Sequence, residues 1–387
     1  MTNAGGDVSL LLLAVLTLLA MHTGFALRKV GKVSQQDRAD SLGKALVVFA
    51  GSILFYAAFG YYLSYGFHVR TPVLTPVAGG KHNTIQFLVL LTFATAVPAL
   101  VAGAVTRPVR LWAQLASTAL IAGLIYPLFE QIVWGRRLYA QHVLMSSFGA
   151  EFHDFSGAVV VHVMGGWLAL VAAMVIGQRP AGYQQESEAG SILWVLGSWL
   201  LTLAWLAAMV LNSHRPQAFV QVVAVNGLSA IVGGVLGSLA AARGELRAVF
   251  TGALAGVIAI CAGADVVNAA GALSIGAVAG ALVIAGGAVA KHYWTVASET
   301  DVWALHVISG TWGSLAAAVF AHAALGGRGG ISFIVQLIGV LGGTGLAIVA
   351  GFAMYGFLNR MNLLRLATSS AGDAAGAAHA SSHQADD

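Results

Sequence analysis

"DFSGAVVVHVMGGWLALV", residues 154–171, opens on an aspartate and then sets a histidine into a run of valines, glycines and leucines. "DVWALHVISGTWG", residues 301–313, repeats the plan. After His162 and after His306 come a valine, a variable residue, a small residue and a glycine, with a tryptophan next or one place further on ("HVMGGW" at 162–167, "HVISGTW" at 306–312). Ionisable side chains inside apolar spans are rare and usually mark a pathway. Two in the same local setting therefore define equivalent positions in the fold.

Both stretches lie in apolar runs long enough, at about 20 residues, to cross a hydrocarbon core about 30 Å thick. Eleven such runs are legible, at about 8–27, 42–66, 84–105, 109–130, 155–178, 190–212, 218–242, 247–264, 271–290, 302–323 and 331–358. The expected fold is an all-α polytopic membrane protein. An odd number of crossings puts the termini on opposite sides. With the N-terminus outside, thirteen Lys and Arg fall on the inner side and six on the outer, so the positive-inside rule selects N-out, C-in. The fifth and tenth spans then cross in opposite directions. Corresponding elements of opposite polarity indicate an inverted repeat, which gathers its special residues near the midplane. Eight residues of helix rise about 12 Å, which carries His162 from Asp154 to near the centre of the core.

Composition agrees. Of 387 residues, 58% are hydrophobic and 9% charged, against about 25% charged in soluble domains, and the mean hydropathy is +0.82. The 48 glycines, about twelve in a hundred against a usual seven, suit helices that approach closely. A lone Cys261 excludes an internal disulfide. The net charge of +4 is scattered over short loops, which argues against a nucleic-acid partner. The run 8–27 ends in Arg28-Lys29 and reads as a retained span, not a cleaved signal. Residues 1–366 are expected to form the membrane domain, and 367–387, small, polar and rich in Ala and Gly, a disordered cytoplasmic tail.

The two histidines admit a plain reading, as polar groups hydrogen-bonded between packed helices. Their repeat-related positions favour a functional one. Two imidazoles without neighbouring Cys, Glu or Asp ligands fall short of a zinc set, and no metal or cofactor is expected. A neutral imidazole carries one donor and one acceptor, so two facing rings can share and relay a proton. Asp154 is placed to cap the fifth helix, where a carboxylate meets the positive helix pole, and Asp301 begins the tenth span in the same way.

These motifs resemble the fifth- and tenth-helix signatures of the ammonium transporter family (Amt/Mep, with the Rhesus proteins). "GALAGVIAICAGADVVNAAGALSIGAVAG" at 252–280, "TFATAVPALVAGAVTR" at 92–107 and "GFALRKVG" at 24–31 extend the resemblance over about residues 8–366. It implies an eleven-helix bundle, N-out and C-in, built as a five-plus-five inverted repeat plus a long eleventh helix. It also implies a homotrimer in the inner (plasma) membrane, and ammonium recruited outside and moved as ammonia plus a relayed proton. His162 and His306 match the twin pore histidines, Trp134 the cage tryptophan, Phe93 one gate phenylalanine and Trp205 a pore-adjacent tryptophan. The sequence departs from the family at "WLAAMVLN", 205–212: the second gate phenylalanine is Ala208, the cage serine is Asn212, and another cage aromatic is Val89. Asn212 still offers a carbonyl to a cation. "YAQHVLMSSFGAEFH" before Asp154 is longer than in many relatives. The resemblance suggests a PII-type regulatory partner, although the tail lacks the usual acidic regulatory segment. The expected function is conduction by a protein that is not an enzyme. A non-transporting ammonium sensor and a Rhesus-like channel for neutral ammonia are the alternatives.

Overall fold

The computed structural model describes residues 4–66, 81–105, 109–177, 187–213, 217–293 and 301–364. The tail expected from 367 lies outside them, as do Arg70, Arg107, Arg179, Arg215 and Arg365, which entered the loop-charge count. Among the described residues every regular element is helical, and ten helices are long and apolar enough to cross a membrane. The chain is a multi-pass membrane protein. In order, its principal helices are α1 (Val8–Val30), α2 (Gln35–Tyr65), α3 (Thr84–Ala104), α4 (Leu111–Val133), α5 (Ala158–Ile176), α6 (Glu188–Asn212), α7 (Phe219–Ala241), α8 (Ala248–Ile260), α9 (Ala269–Ala290), α10 (Asp301–Phe320) and α11 (Phe333–Arg360).

α8 differs from the expected eighth span. It has 13 residues, about 20 Å of helix, and the chain continues as turns through Val266. Those turns spend their carbonyls elsewhere. Asn226 on α7 donates to the carbonyls of Ala264 and Val267, both at 2.8 Å, and the amides of Phe155 and Ser156 bond those of Ala262 and Cys261. The helix stops where its hydrogen-bonding groups are claimed by neighbours.

α1 packs along α6, and α5 along α10. The first pair is close enough that a Cβ on Gly197 would lie 2.7 Å from the Arg28 nitrogen and 2.8 Å from the Gly24 oxygen. Arg28, in the last turn of α1, is half-buried against α6, donating to Ser198 Oγ at 3.0 Å and covering the Trp194 ring at 4.7 Å. The outer surface of the bundle is apolar where a soluble protein would be polar: Leu341, Val349 and Phe357 on α11 are all more than half exposed, as lipid-facing side chains are.

Four helices contain a π-helical turn: α2 at Tyr56–Gly60, α4 at Ile121–Ile125, α5 at Ala158–Val163 and α10 at Ala304–Ile308. Such turns insert one residue, rotate the helix face beyond them, and are frequent at functional sites. Both motif histidines lie inside one.

Candidate functional site

A cavity of about 470 Å³ opens at the end of the bundle where α4 stops and α5 begins. Trp134, Asp154 and Asn212 line it, together with Glu151, His153 and Asp265. Asp154 is fully engaged. One oxygen accepts from the amides of Gly157 (3.2 Å) and Ala158 (2.7 Å), and the other from Val159 (2.8 Å) and Val160 (2.9 Å). The four orphan amides of a helix start are thereby satisfied by one carboxylate. Burial pushes that carboxyl above the ordinary aspartate range, and the amide hydrogen bonds pull it back. The Asp154 carbonyl takes the indole N–H of Trp134 at 2.7 Å, so the cap also fixes the tryptophan at the cavity edge. Asn212 spends its amide N–H groups on the Phe155 carbonyl and on Ser156 Oγ. The long segment before Asp154 forms a short helix, Ala140–Phe148. It is pinned by Gln141, which exchanges hydrogen bonds with Phe152, and the loop beside it by an Arg136–Glu151 ion pair.

From Trp134 an aromatic column runs inward. The Phe93 ring lies 5.5 Å from Trp134 at 45° and 6.1 Å from Trp205 at 8°, nearly parallel. Trp205 meets His162 edge-on at 4.3 Å. His162 and His306 complete the column, with ring centroids 5.1 Å apart, planes within 25°, and their Nδ1 atoms 3.0 Å from one another. Phe93, Trp205, His162 and His306 are all buried. Ala208 and Val89, where the resemblance led one to expect aromatic rings, are buried too. With no second ring at Ala208, Phe93 stacks on Trp205.

Glycines bring the histidines together. Gly166 follows His162 by four residues and Gly310 follows His306 by four, so each shares its histidine's helix face. A Cβ on Gly166 would meet Val307 Cγ2 at 2.6 Å and His306 Cβ at 3.2 Å; one on Gly310 would meet the Ala158 carbonyl oxygen at 2.4 Å. Each helix thus yields space to the other's π turn. A 3.0 Å nitrogen pair needs one donor and one acceptor, so a single proton sits between the two Nδ1 atoms. A neutral pair then keeps one acceptor and one donor at its outer Nε2 positions. His162 Nε2 is buried with no hydrogen-bond partner, and so is Trp205 Nε1. Native proteins seldom leave such atoms unpaired.

Asp301 differs from Asp154: it begins α10 half-exposed, 4.0 Å from Lys32.

Residues 9–383 match the family model described as Ammonium Transporter Family. The chain belongs to the ammonium transporter family. The ammonium transporter Amt1 of Methanocaldococcus jannaschii is 25% identical over 358 residues, covering 91% of this chain and 90% of its own. Amt2 of Archaeoglobus fulgidus is 27% identical over 390 residues, covering 90% and 81%. Among solved structures, a sensor Amt protein superposes with a TM-score of 0.79 at 22% identity, covering 93% of this chain and 94% of that one. Rh50 of Nitrosomonas europaea gives 0.73 at 20%, covering 92% and 89%. At such identities these structures speak for the fold of the family and not for which branch this member joins.

One buried group escaped the sequence reading. Glu130, on α4, is fully buried. Its Oε1 accepts from the hydroxyls of Tyr56 (2.8 Å), Tyr65 (3.2 Å) and Tyr126 (3.4 Å), and its Oε2 from Ser64 (2.6 Å). The available signal was a carboxylate inside the apolar "YPLFEQIVW", 126–134, which hydrocarbon tolerates only with partners.

Proposed function

We propose that this member of the ammonium transporter family conducts ammonium, taken up as the cation in the outer vestibule and carried past the histidines as ammonia with a relayed proton. The observation that carries this reading is the buried 3.0 Å contact between His162 and His306, with His162 Nε2 unpartnered at the end of the aromatic column. A bare cation loses several kcal/mol of hydration in such a place, whereas neutral ammonia loses far less and can both donate to and accept from an imidazole. Trp134 offers a ring face to a cation at the mouth, worth about 0.5–2 kcal/mol, and the Asn212 carbonyl adds a dipole, while Phe93, buried behind Trp134, is the gate ring. Trp205 holds the His162 ring, and Asp154 holds the start of α5. Ala208 leaves the gate to Phe93 alone.

In this reading α8 and the turns after it count as an eleventh crossing, the N-terminus is outside, and helices α1–α5 and α6–α10 are the halves of an inverted repeat. The mutual packing of α1 with α6 and of α5 with α10 supports that pairing. The protein would act as a homotrimer in the inner membrane, with a tail from 367 and a PII-type regulator as a candidate partner.

Currents on solid-supported membranes test the reading. An ammonium pulse should evoke current and uptake in the wild type and neither in His162→Ala. If an ammonium gradient drives no flux in the wild type, conduction fails. Saturable ammonium binding in that case would support a sensor, and flux that follows ammonia without charge movement would support a gas channel.

A further inference from the structure

The vestibule holds three carboxylates besides the buried one behind it, and their partners differ in kind. Asp154 is held by four backbone amides, which do not pass protons on. Glu151 is ion-paired with Arg136, and Asp265 faces His153 Nε2 at 2.9 Å. Glu130, by contrast, is held by four hydroxyls, and a hydroxyl can receive a proton as it gives one up. One of the four belongs to a residue of the vestibule wall: Tyr65 lines the cavity and donates to Glu130 Oε1. Among the described residues no cation pairs with Glu130. Two of the four π turns adjoin the cluster, since Tyr56 begins the one in α2 and Tyr126 follows the one in α4, as the other two contain the histidines.

From this arrangement we infer that Glu130 is a second proton acceptor for the outer vestibule, reached through the Tyr65 hydroxyl. The inference rests on ammonium entering that vestibule. An N–H bond of the cation breaks and its proton joins Tyr65 Oη. The Tyr65 O–H bond breaks in turn, and that proton joins Glu130 Oε1. Ammonium and a carboxylate become ammonia and a carboxylic acid, and nothing is oxidised or reduced. The acid form requires one hydroxyl to reverse and accept. Tyr65 does so: it has handed its proton to Oε1 and taken one from the cation, so its oxygen accepts from the new O–H of Glu130. The reverse steps return the proton to the vestibule. Glu130 touches neither the cation nor the pore; it acts through Tyr65.

The test is infrared difference spectroscopy of the full-length protein in vesicles, comparing ammonium chloride with sodium chloride, alongside current recordings on the same vesicles. Ammonium should raise a protonated-carboxyl band in the wild type. The band should vanish in Glu130→Gln and fall several-fold in Tyr65→Phe, which keeps the carboxyl and the ring but cuts the route. A band undiminished in Glu130→Gln overturns the inference and points to Asp265 or Asp154, and one undiminished in Tyr65→Phe overturns the route through Tyr65. Wild-type protein that passes ammonium current without the band overturns it while conduction stands. Protein with neither current nor band overturns both.

Discussion

Two of the buried ionisable sites in this bundle are satisfied in opposite ways. In α5 and α10, His162 and His306 bring their Nδ1 atoms to 3.0 Å from one another. On α4, Glu130 is surrounded by four hydroxyl donors. Each is flanked by π turns, one pair in α5 and α10 and the other in α2 and α4. Two imidazoles that share a proton between Nδ1 atoms leave an outer nitrogen to face a further partner. A carboxylate ringed by hydroxyls is a different device: they replace its lost hydration, and each can pass a proton on as well as give one.

The largest expected effect lies at the histidine pair. His162→Ala removes both the shared proton and the free nitrogen, and ammonium-evoked current should fall by about 10²-fold or more, the usual worth of a positioned proton carrier. Retention of wild-type current would end the distinction between the two sites. At the carboxylate the effect should be on stability first. Glu130→Ala strands four hydroxyls in a dry environment and should cost at least one unpaired-group penalty, about 1–3 kcal/mol, read as a lower Tm in detergent. Glu130→Gln keeps an accepting oxygen and should lose less. Equal Tm for all three proteins would mean that the hydroxyls are not held by the carboxylate.

Next in size is the crossing that lets the rings meet. Gly310→Ala would place a methyl 2.4 Å from a backbone oxygen of α5, which cannot turn aside as a side chain could. Overpacking of this kind costs about 1–3 kcal/mol, and the helices can relieve it only by separating the histidines, so Tm and current should fall together. Gly345→Ala on α11, where no atom lies within 4 Å, is the matched control and should leave both intact.

The sequence made the histidine site legible and hid the carboxylate, for a physical reason. A histidine in an apolar run stands out against its neighbours, and its repetition at 306 with the same following glycine fixed both the pairing and the close approach. Trp134, Phe93 and Trp205 came from resemblance, and their assembly into one column depended on contacts between α3, α4 and α6 that no local pattern encodes. Glu130 gives a weaker signal, because it stands at the very end of the apolar run 109–130, where a charged residue is ordinary. α4 runs on to Val133, and three of the four hydroxyls come from α2, more than sixty residues away. The length of α8 was likewise overestimated, since hydropathy cannot register the carbonyls claimed by Asn226 and by residues 155–156.

The smallest effect tests whether the aspartates that lead into α5 and α10 are held alike. Asp154 is 3% exposed and caps α5 through four amides, whereas Asp301 is half-exposed and meets Lys32 at 4.0 Å. Removing a cap costs about 0.5–2 kcal/mol, and a partly solvated ion pair is worth about 0–1 kcal/mol. Asp154→Ala should therefore lower Tm measurably and loosen Trp134, whose indole hydrogen bond ends on the same residue. Lys32→Ala should lower Tm barely or not at all, and any loss should shrink further in high salt, because screening acts on exposed pairs. If instead Lys32→Ala costs as much as Asp154→Ala, Asp301 is an anchor of the same weight, and the starts of α5 and α10 are more alike than the 4.0 Å contact implies.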